Sequence, residues 1–305
     1  PLPGSRAGLM VGSAWGGLGT MAAFFRDVLH KSAKFAKPIL FPHTYANTAA
    51  AMTGIEWAIQ GPHEHFAGGR MASAQALAAA LDTLRSGEAD LVVAGGCEAL
   101  SPALFRLLQS QGRLDASGAE PGAGSRVAQG IPYAPGGRGV VPGEGAAVLI
   151  LETLSAAERR GASVLATLAG AGLSGEGLEL ACARALEEAQ LPREKLGGLL
   201  APGVGLARED RAGEAALGEL LAGCPLPVSA LAGLQGDCLG AAPALDAAAA
   251  VLLRQAGFLP PIPGLVPSAD SALRYVLGHC VNLPEQAPLL VATAEAADSA
   301  AFVIL

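Results

Sequence analysis

The chain has 305 residues, a formal net charge of −7 at pH 7, 51% hydrophobic and only 15% charged residues. So much aliphatic content excludes a disordered chain, and the length allows one large or two intimate domains. The acidic balance, with no basic run longer than Arg159–Arg160, argues against nucleic acid, and apolar runs such as Gly145–Leu151 stop well short of the roughly 18–20 residues of a membrane-spanning helix.

In chain order, Gly8–Gly12 reads as a short buried strand, followed by a turn at Gly16-Gly17 and a helix from about Thr20 to His30. Lys31–Pro42 is loop-like. Ala46–Gln60 carries apolar residues at helical spacing and stops before the breaker pair Gly61-Pro62. His63–Ala67 is a candidate short strand. Leu77, Leu81 and Leu84 follow i, i+4, i+7, predicting an amphipathic helix over Met71–Arg85. Leu91–Ala94 is a strand entering Gly95-Gly96, and Pro102–Ser110 a helix leading into a Gly-, Ala- and Ser-rich loop through about Gly139. Ala147–Leu151 is a strand and Ser155–Arg160 a short helix.

Val164–Leu168 opens a second half with the same rhythm: helix Leu178–Gln190, strand Gly198–Leu200, helix Asp210–Leu221 and strand Pro227–Ser229. A glycine-bearing loop at Gly233–Gly240 precedes helix Pro243–Gln255, and Ala287–Thr293 and Ala300–Leu305 end the chain as strands. The alternation predicts an α/β fold, divided at 1–160 and 161–305. Gly68-Gly69 before one alanine-rich helix and Gly236–Gly240 before another form a weak internal echo.

Chemistry is sparse. Cysteines 97, 182, 224, 238 and 280 show no metal spacing, and their odd count fits reduced thiols in a cytoplasm. Gly16-Gly17-Leu18-Gly19 lacks the spacing of a phosphate loop, so close strand–helix packing explains it better. Cys97, just past a strand, and Cys238, at the head of a helix, are the candidate nucleophiles; a plain buried thiol is the competing reading for both. His63 and His65 flank Glu64, and alternation on a strand would aim both rings to one face. Two ligands without a third make no metal site, so an interface role is preferred. No cofactor motif is present.

The order of motifs resembles the β-ketoacyl synthases, which have the thiolase fold of two related halves. The resemblance rests on Val11–Gly17, Asn47 ahead of an apolar helix, Gly87–Ala99 with its Gly-Gly-Cys-Glu-Ala, Val141–Glu152 and Ala157–Ala162. Asp210 and Glu214, Pro227–Ser229 and Gly236–Ala242 continue it. Active synthases use a cysteine at a helix N-terminus to accept the acyl chain from a carrier protein, and two histidines to assist decarboxylation. Counted without gaps from Gly61-Pro62, the cysteine position holds Arg70, and the histidine positions hold Pro202 and Asp237. A guanidinium is neither nucleophile nor base at neutral pH.

A synthase-like chain with its scaffold motifs intact and its catalytic positions replaced resembles the chain length factors of type II polyketide synthases. That family typically has glutamine where Arg70 stands. The resemblance implies a heterodimer with an active ketosynthase subunit, with the strand at His63, His65 and Phe66 in the interface. It implies an acyl carrier protein as a further partner. The growing polyketide or polyene chain would run past Tyr45, Thr48, Ala49 and Met52, and Arg70 and Asp237 would pair in the former pocket. The usual first strand–helix unit has no counterpart before Leu9, so the chain is expected to be short at its N-terminus. The alternatives are a divergent synthase using another nucleophile and a degenerate scaffold homodimer. A broad partner interface would also cover the apolar surface that 15% charge leaves open.

Overall fold

The computed structural model describes residues 4–115 and 130–305, which alternate strand and helix. The loop expected up to Gly139 lies in part, at 116–129, outside the described residues. The chain divides into two compact units. The first comprises the residues up to Gln111 with Glu144–Ala162 and Leu239–Ala244; the second comprises Gly112–Gly143, Ser163–Cys238 and Leu245–Leu305.

The elements of the first half are β1 (Ala7–Gly12), α1 (Leu18–Lys31), α2 (Thr48–Glu56), β2 (His63–Phe66), α3 (Ala72–Arg85), β3 (Leu91–Glu98), α4 (Pro102–Ser110), β4 (Gly145–Glu152) and α5 (Leu154–Arg159). The sheet order is β2-β1-β3-β4. β1 runs parallel to β2 and β3, and β4 runs antiparallel to β3. The predicted leucine stripe of α3 is its core face: Leu77, Leu81 and Leu84 are buried, as are Leu9, Met10 and Val92 of β1 and β3. Pro102 opens α4, where the Ser101 hydroxyl accepts the Leu104 N–H at 3.2 Å, a side-chain N-cap.

Two expectations change here. The Lys31–Pro42 stretch is not a plain loop: it carries 3₁₀ turns at Ala33–Phe35 and Pro38–Thr44, the second begun by a proline whose missing N–H costs nothing there. Gly95-Gly96 does not end its strand. β3 continues to Glu98 because β4 supplies a partner for every residue, down to Glu98 opposite Gly145. Cys97 therefore sits inside a strand, not at a strand-to-helix turn. Gly96 is required by close approach, since a Cβ on it would lie 2.5 Å from Ser73 Cβ.

The second half contains β5 (Leu168–Ser174), α6 (Leu178–Glu188), β6 (Gly198–Leu200), α7 (Ala207–Leu220), β7 (Pro227–Ser229), α8 (Ala232–Gln235), α9 (Ala242–Ala256), β8 (Phe258–Leu259), β9 (Arg274–Tyr275), β10 (Val281–Asn282), β11 (Leu289–Glu295) and β12 (Asp298–Ile304). Its large sheet has the order β5-β12-β11-β6-β7-β9. β6 runs parallel to β7 and β11, and β12 runs antiparallel to β11. The order and directions of β2-β1-β3-β4 thus recur as β7-β6-β11-β12, so the two halves share one topology. Leu199, Leu217, Val228, Leu290 and Val303 lie in the buried core of this unit.

The strand expected at Val164–Leu168 starts instead at Leu168. The ladder to β12 uses the glycine-bearing stretch after it. At Gly172 a Cβ would lie 2.0 Å from the Ala181 carbonyl oxygen, so only glycine lets α6 rest on this strand. Period-2 apolar patterning is erased where helix and strand touch backbone to backbone.

Candidate functional site

Three short loops carry the positions that the sequence comparison of motifs singled out. The first leads into α3. Gly69, with φ +59°, begins a 3₁₀ turn over Gly69–Met71, and the Met71 N–H donates to the Gly68 carbonyl at 3.1 Å. Arg70 on this turn is buried, with only 4% of its surface exposed. In the first turn of α3, the Ser73 hydroxyl accepts the Ala244 N–H of α9 at 3.0 Å. The turn thus holds a long cationic side chain inside the protein at the head of a helix.

Pro202 lies half-buried on the loop after β6. This loop is held by Asp210 of α7. Asp210 Oδ1 accepts the Val204 N–H at 2.8 Å, and Oδ2 accepts the N–H groups of Gly205 at 2.9 Å and Tyr133 at 2.7 Å. Burial pushes the Asp210 carboxyl above its ordinary range, and the three donated hydrogen bonds oppose that rise. Asp237 lies on the third loop, between α8 and α9, and is 2% exposed. Its N–H donates to the Val141 carbonyl at 2.8 Å, and its carbonyl accepts the Gly143 N–H at 2.9 Å. Arg70 belongs to the first unit, Pro202 and Asp237 to the second.

The two candidate thiols lie in different settings. Burial, then the neighbouring Glu98 carboxylate, pushes the Cys97 thiol up. Cys238 is 1% exposed, and its Sγ approaches the Gln235 carbonyl at 3.6 Å. Glu98 has a different role, which the Gly-Gly-Cys-Glu-Ala motif marked without explaining. Its buried carboxylate accepts the N–H groups of Ala14 at 2.7 Å and Trp15 at 3.2 Å, fixing the loop after β1. Like Asp210, it is a carboxylate that organises backbone.

β2 is an edge strand, paired with β1 on one side only among the described residues. His63 is exposed and lies against Gly54 of α2. His65 and Phe66 are half-buried. Both ring nitrogens of His65 are inaccessible to solvent and lack a hydrogen-bond partner among the described residues, and burial, helped by His63, pulls its pKa down. Of the residues nominated along the acyl path, Tyr45, Ala49 and Met52 are exposed. Thr48 opens α2, its hydroxyl donating to the carbonyls of Tyr45 at 2.8 Å and Pro42 at 3.0 Å.

In the second unit, two cavities of about 730 and 750 Å³ flank α7. Tyr133 lines both; Pro202, Gly203 and Ser299 line the larger. The Tyr133 hydroxyl is buried beside the Gly203 backbone, and the Ser299 hydroxyl is buried without a hydrogen-bond partner among the described residues.

Family models for the N-terminal and C-terminal domains of β-ketoacyl synthase match residues 1–157 and 165–265. This chain belongs to the β-ketoacyl synthase family. Nodulation protein E of Rhizobium leguminosarum bv. trifolii is 31% identical over 268 residues, covering 84% of this chain and 64% of that protein. The chain thus spans a little under two thirds of that relative's length. The ishigamide ketosynthase/chain length factor structure superposes with a TM-score of 0.87 at 25% identity, over 98% of this chain and 75% of the matched one. A type II polyketide synthase acyl-carrier protein in complex with its ketosynthase gives a TM-score of 0.90 at 22% identity, over 99% and 78%, a likeness of fold alone. The fold is the thiolase-like α/β fold of ketosynthases. Positions 70, 202 and 237 hold Arg, Pro and Asp, and Cys238 follows directly on the third loop. No helix among the described residues is long and apolar enough to cross a membrane.

Proposed function

We propose that this chain is the non-catalytic, chain-length-determining subunit of a type II polyketide ketosynthase heterodimer. It pairs with an active ketosynthase subunit and shapes the tunnel that receives a polyketide or polyene chain from the acyl carrier protein. The observation that carries the reading is the buried Arg70 at the head of α3, in the ungapped position of the acyl-accepting cysteine. A helix N-terminus favours a thiolate; a guanidinium there supplies no electron pair for attack on a thioester. Pro202 and Asp237, in place of two imidazoles, support the same reading, because neither is the imidazole that the family uses to stabilise developing negative charge. The likeness to the ishigamide ketosynthase/chain length factor structure supports the proposed partner subunit.

The test is intact-protein mass spectrometry after incubation of the chain alone with an acyl carrier protein thioester. The expected mass is unchanged. A covalent acyl adduct on Cys97, Cys238 or any other residue would overturn the proposal in favour of a divergent condensing enzyme.

A further inference from the structure

The surface from Trp15 to Trp57 is rich in exposed large apolar side chains and in basic residues. Leu29 is 80% exposed, Ile39 74%, and Phe25, Phe35 and Phe41 between 48% and 64%. The aromatic rings lie in series: Phe24 touches Phe25 at 5.6 Å and Phe41 at 5.7 Å between centroids, and Phe41 meets Tyr45 edge-on at 5.4 Å. Large side chains so placed on α1, the 3₁₀ turns and α2 form an open apolar patch that water alone does not favour.

Its charge is opposite to the chain's. The protein carries 27 acidic and 20 basic residues, yet no acidic residue stands between Asp27 and Glu56. Three of the four lysines, Lys31, Lys34 and Lys37, fall in that interval, with Arg26 just before it. Lys31 is paired with Asp27 at 2.7 Å. Arg26, Lys34 and Lys37 are exposed and make no ion pair among the described residues.

A symmetric pairing of two copies sets each patch against itself, bringing like charges together around the aromatic series. An acidic facing surface would neutralise them. We infer that this basic, aromatic face is built to seat a different polypeptide with an acidic facing surface, and that its charge disfavours a homodimer. The inference rests on the heterodimer reading above and identifies the residues that choose hetero- over self-association. β2 continues the face, since His63 lies against Gly54 of α2. The apolar rings supply burial, and the cations supply the choice of partner and a faster encounter.

The probe is the ketosynthase subunit co-expressed with this chain, titrated against wild type and against the triple variant Arg26→Glu, Lys34→Glu, Lys37→Glu. An unchanged urea midpoint confirms that the variant folds. The expected result is a dissociation constant at least about tenfold higher for the variant at low salt, a gap that narrows at high salt, and a gain in self-association. Equal affinity for wild type and variant would overturn the charge-selection inference and leave the heterodimer reading standing. No complex even with wild type would overturn the heterodimer reading itself. Binding of wild type to phosphatidylserine vesicles, lost in the variant, would overturn the inference in favour of a lipid surface.

Discussion

Asp210 accepts the backbone N–H of Tyr133 at 2.7 Å from a position 77 residues further along the chain. The same carboxylate holds Val204 and Gly205, so one buried side chain ties the start of α7 to the Pro202 loop and to the segment around Tyr133. Asp210→Ala leaves three backbone donors without their acceptor, and should cost about 3–5 kcal/mol at 1–3 kcal/mol for each group not rescued by water. Asp210→Asn is expected to be damaging as well. Its NH₂ group must replace one oxygen and face an N–H donor. Urea denaturation of both variants checks this; a loss below about 1 kcal/mol for each would contradict the brace.

The neutral His65 makes stability depend on pH in a defined direction. Its folded pKa lies below the ordinary 6.5, so in the window beneath 6.5 the unfolded chain binds a proton that the folded chain refuses. Its contribution is present above 6.5 and is lost as pH falls toward the folded pKa. Denaturant midpoints at pH 7.5, 6.5 and 5.5 should decline on acidification for the wild type, and His65→Phe should flatten the part of the decline below 6.5. An equally steep decline in the variant would remove His65 as its cause.

On the proposed reading, placing a thiol at position 70 should not by itself support condensation. Arg70→Cys supplies the nucleophile, but Pro202 and Asp237 still stand where the family places imidazoles. With acyl and malonyl carrier-protein thioesters, the expected outcome is no condensation product by mass spectrometry. Product formation at a rate comparable to an active ketosynthase would show that the loops retain more catalytic capacity than the proposal allows.

Tyr45 and Met52 are placed along the proposed acyl path. In the reconstituted heterodimer, Met52→Ala and Tyr45→Ala should lengthen the product and Ala49→Phe should shorten it, read by mass of the released chains. Unchanged product length in all three would remove these residues from the tunnel.

Much of the fold was legible where a physical pattern was strong. The leucine spacing of α3 and the Pro102 start of α4 each correspond to an element with nearly the predicted limits, whereas α2 is shorter, Thr48–Glu56 against the expected Ala46–Gln60. β3 and β5 were misplaced for a common reason: glycines resemble breaks in a sequence, whereas here Gly96 and Gly172 admit a neighbouring backbone or side chain within a strand. Arg, Pro and Asp at positions 70, 202 and 237 were legible in the sequence, and the structure adds that Arg70 and Asp237 are buried. The bracing roles of Glu98 and Asp210 were not, because a carboxylate that accepts backbone N–H groups from distant segments leaves no local spacing to read. The basic, aromatic face was equally hidden, since it emerges only when exposure is known for each ring.

The central claim is that this chain works as the second, non-catalytic half of a ketosynthase pair. It is tested most directly by co-expressing the untagged chain with a tagged active ketosynthase subunit and weighing the purified assembly by native mass spectrometry. The account predicts a stable one-to-one complex with no covalent acyl group on this chain. A persistent monomer or homodimer in the presence of excess ketosynthase would contradict it.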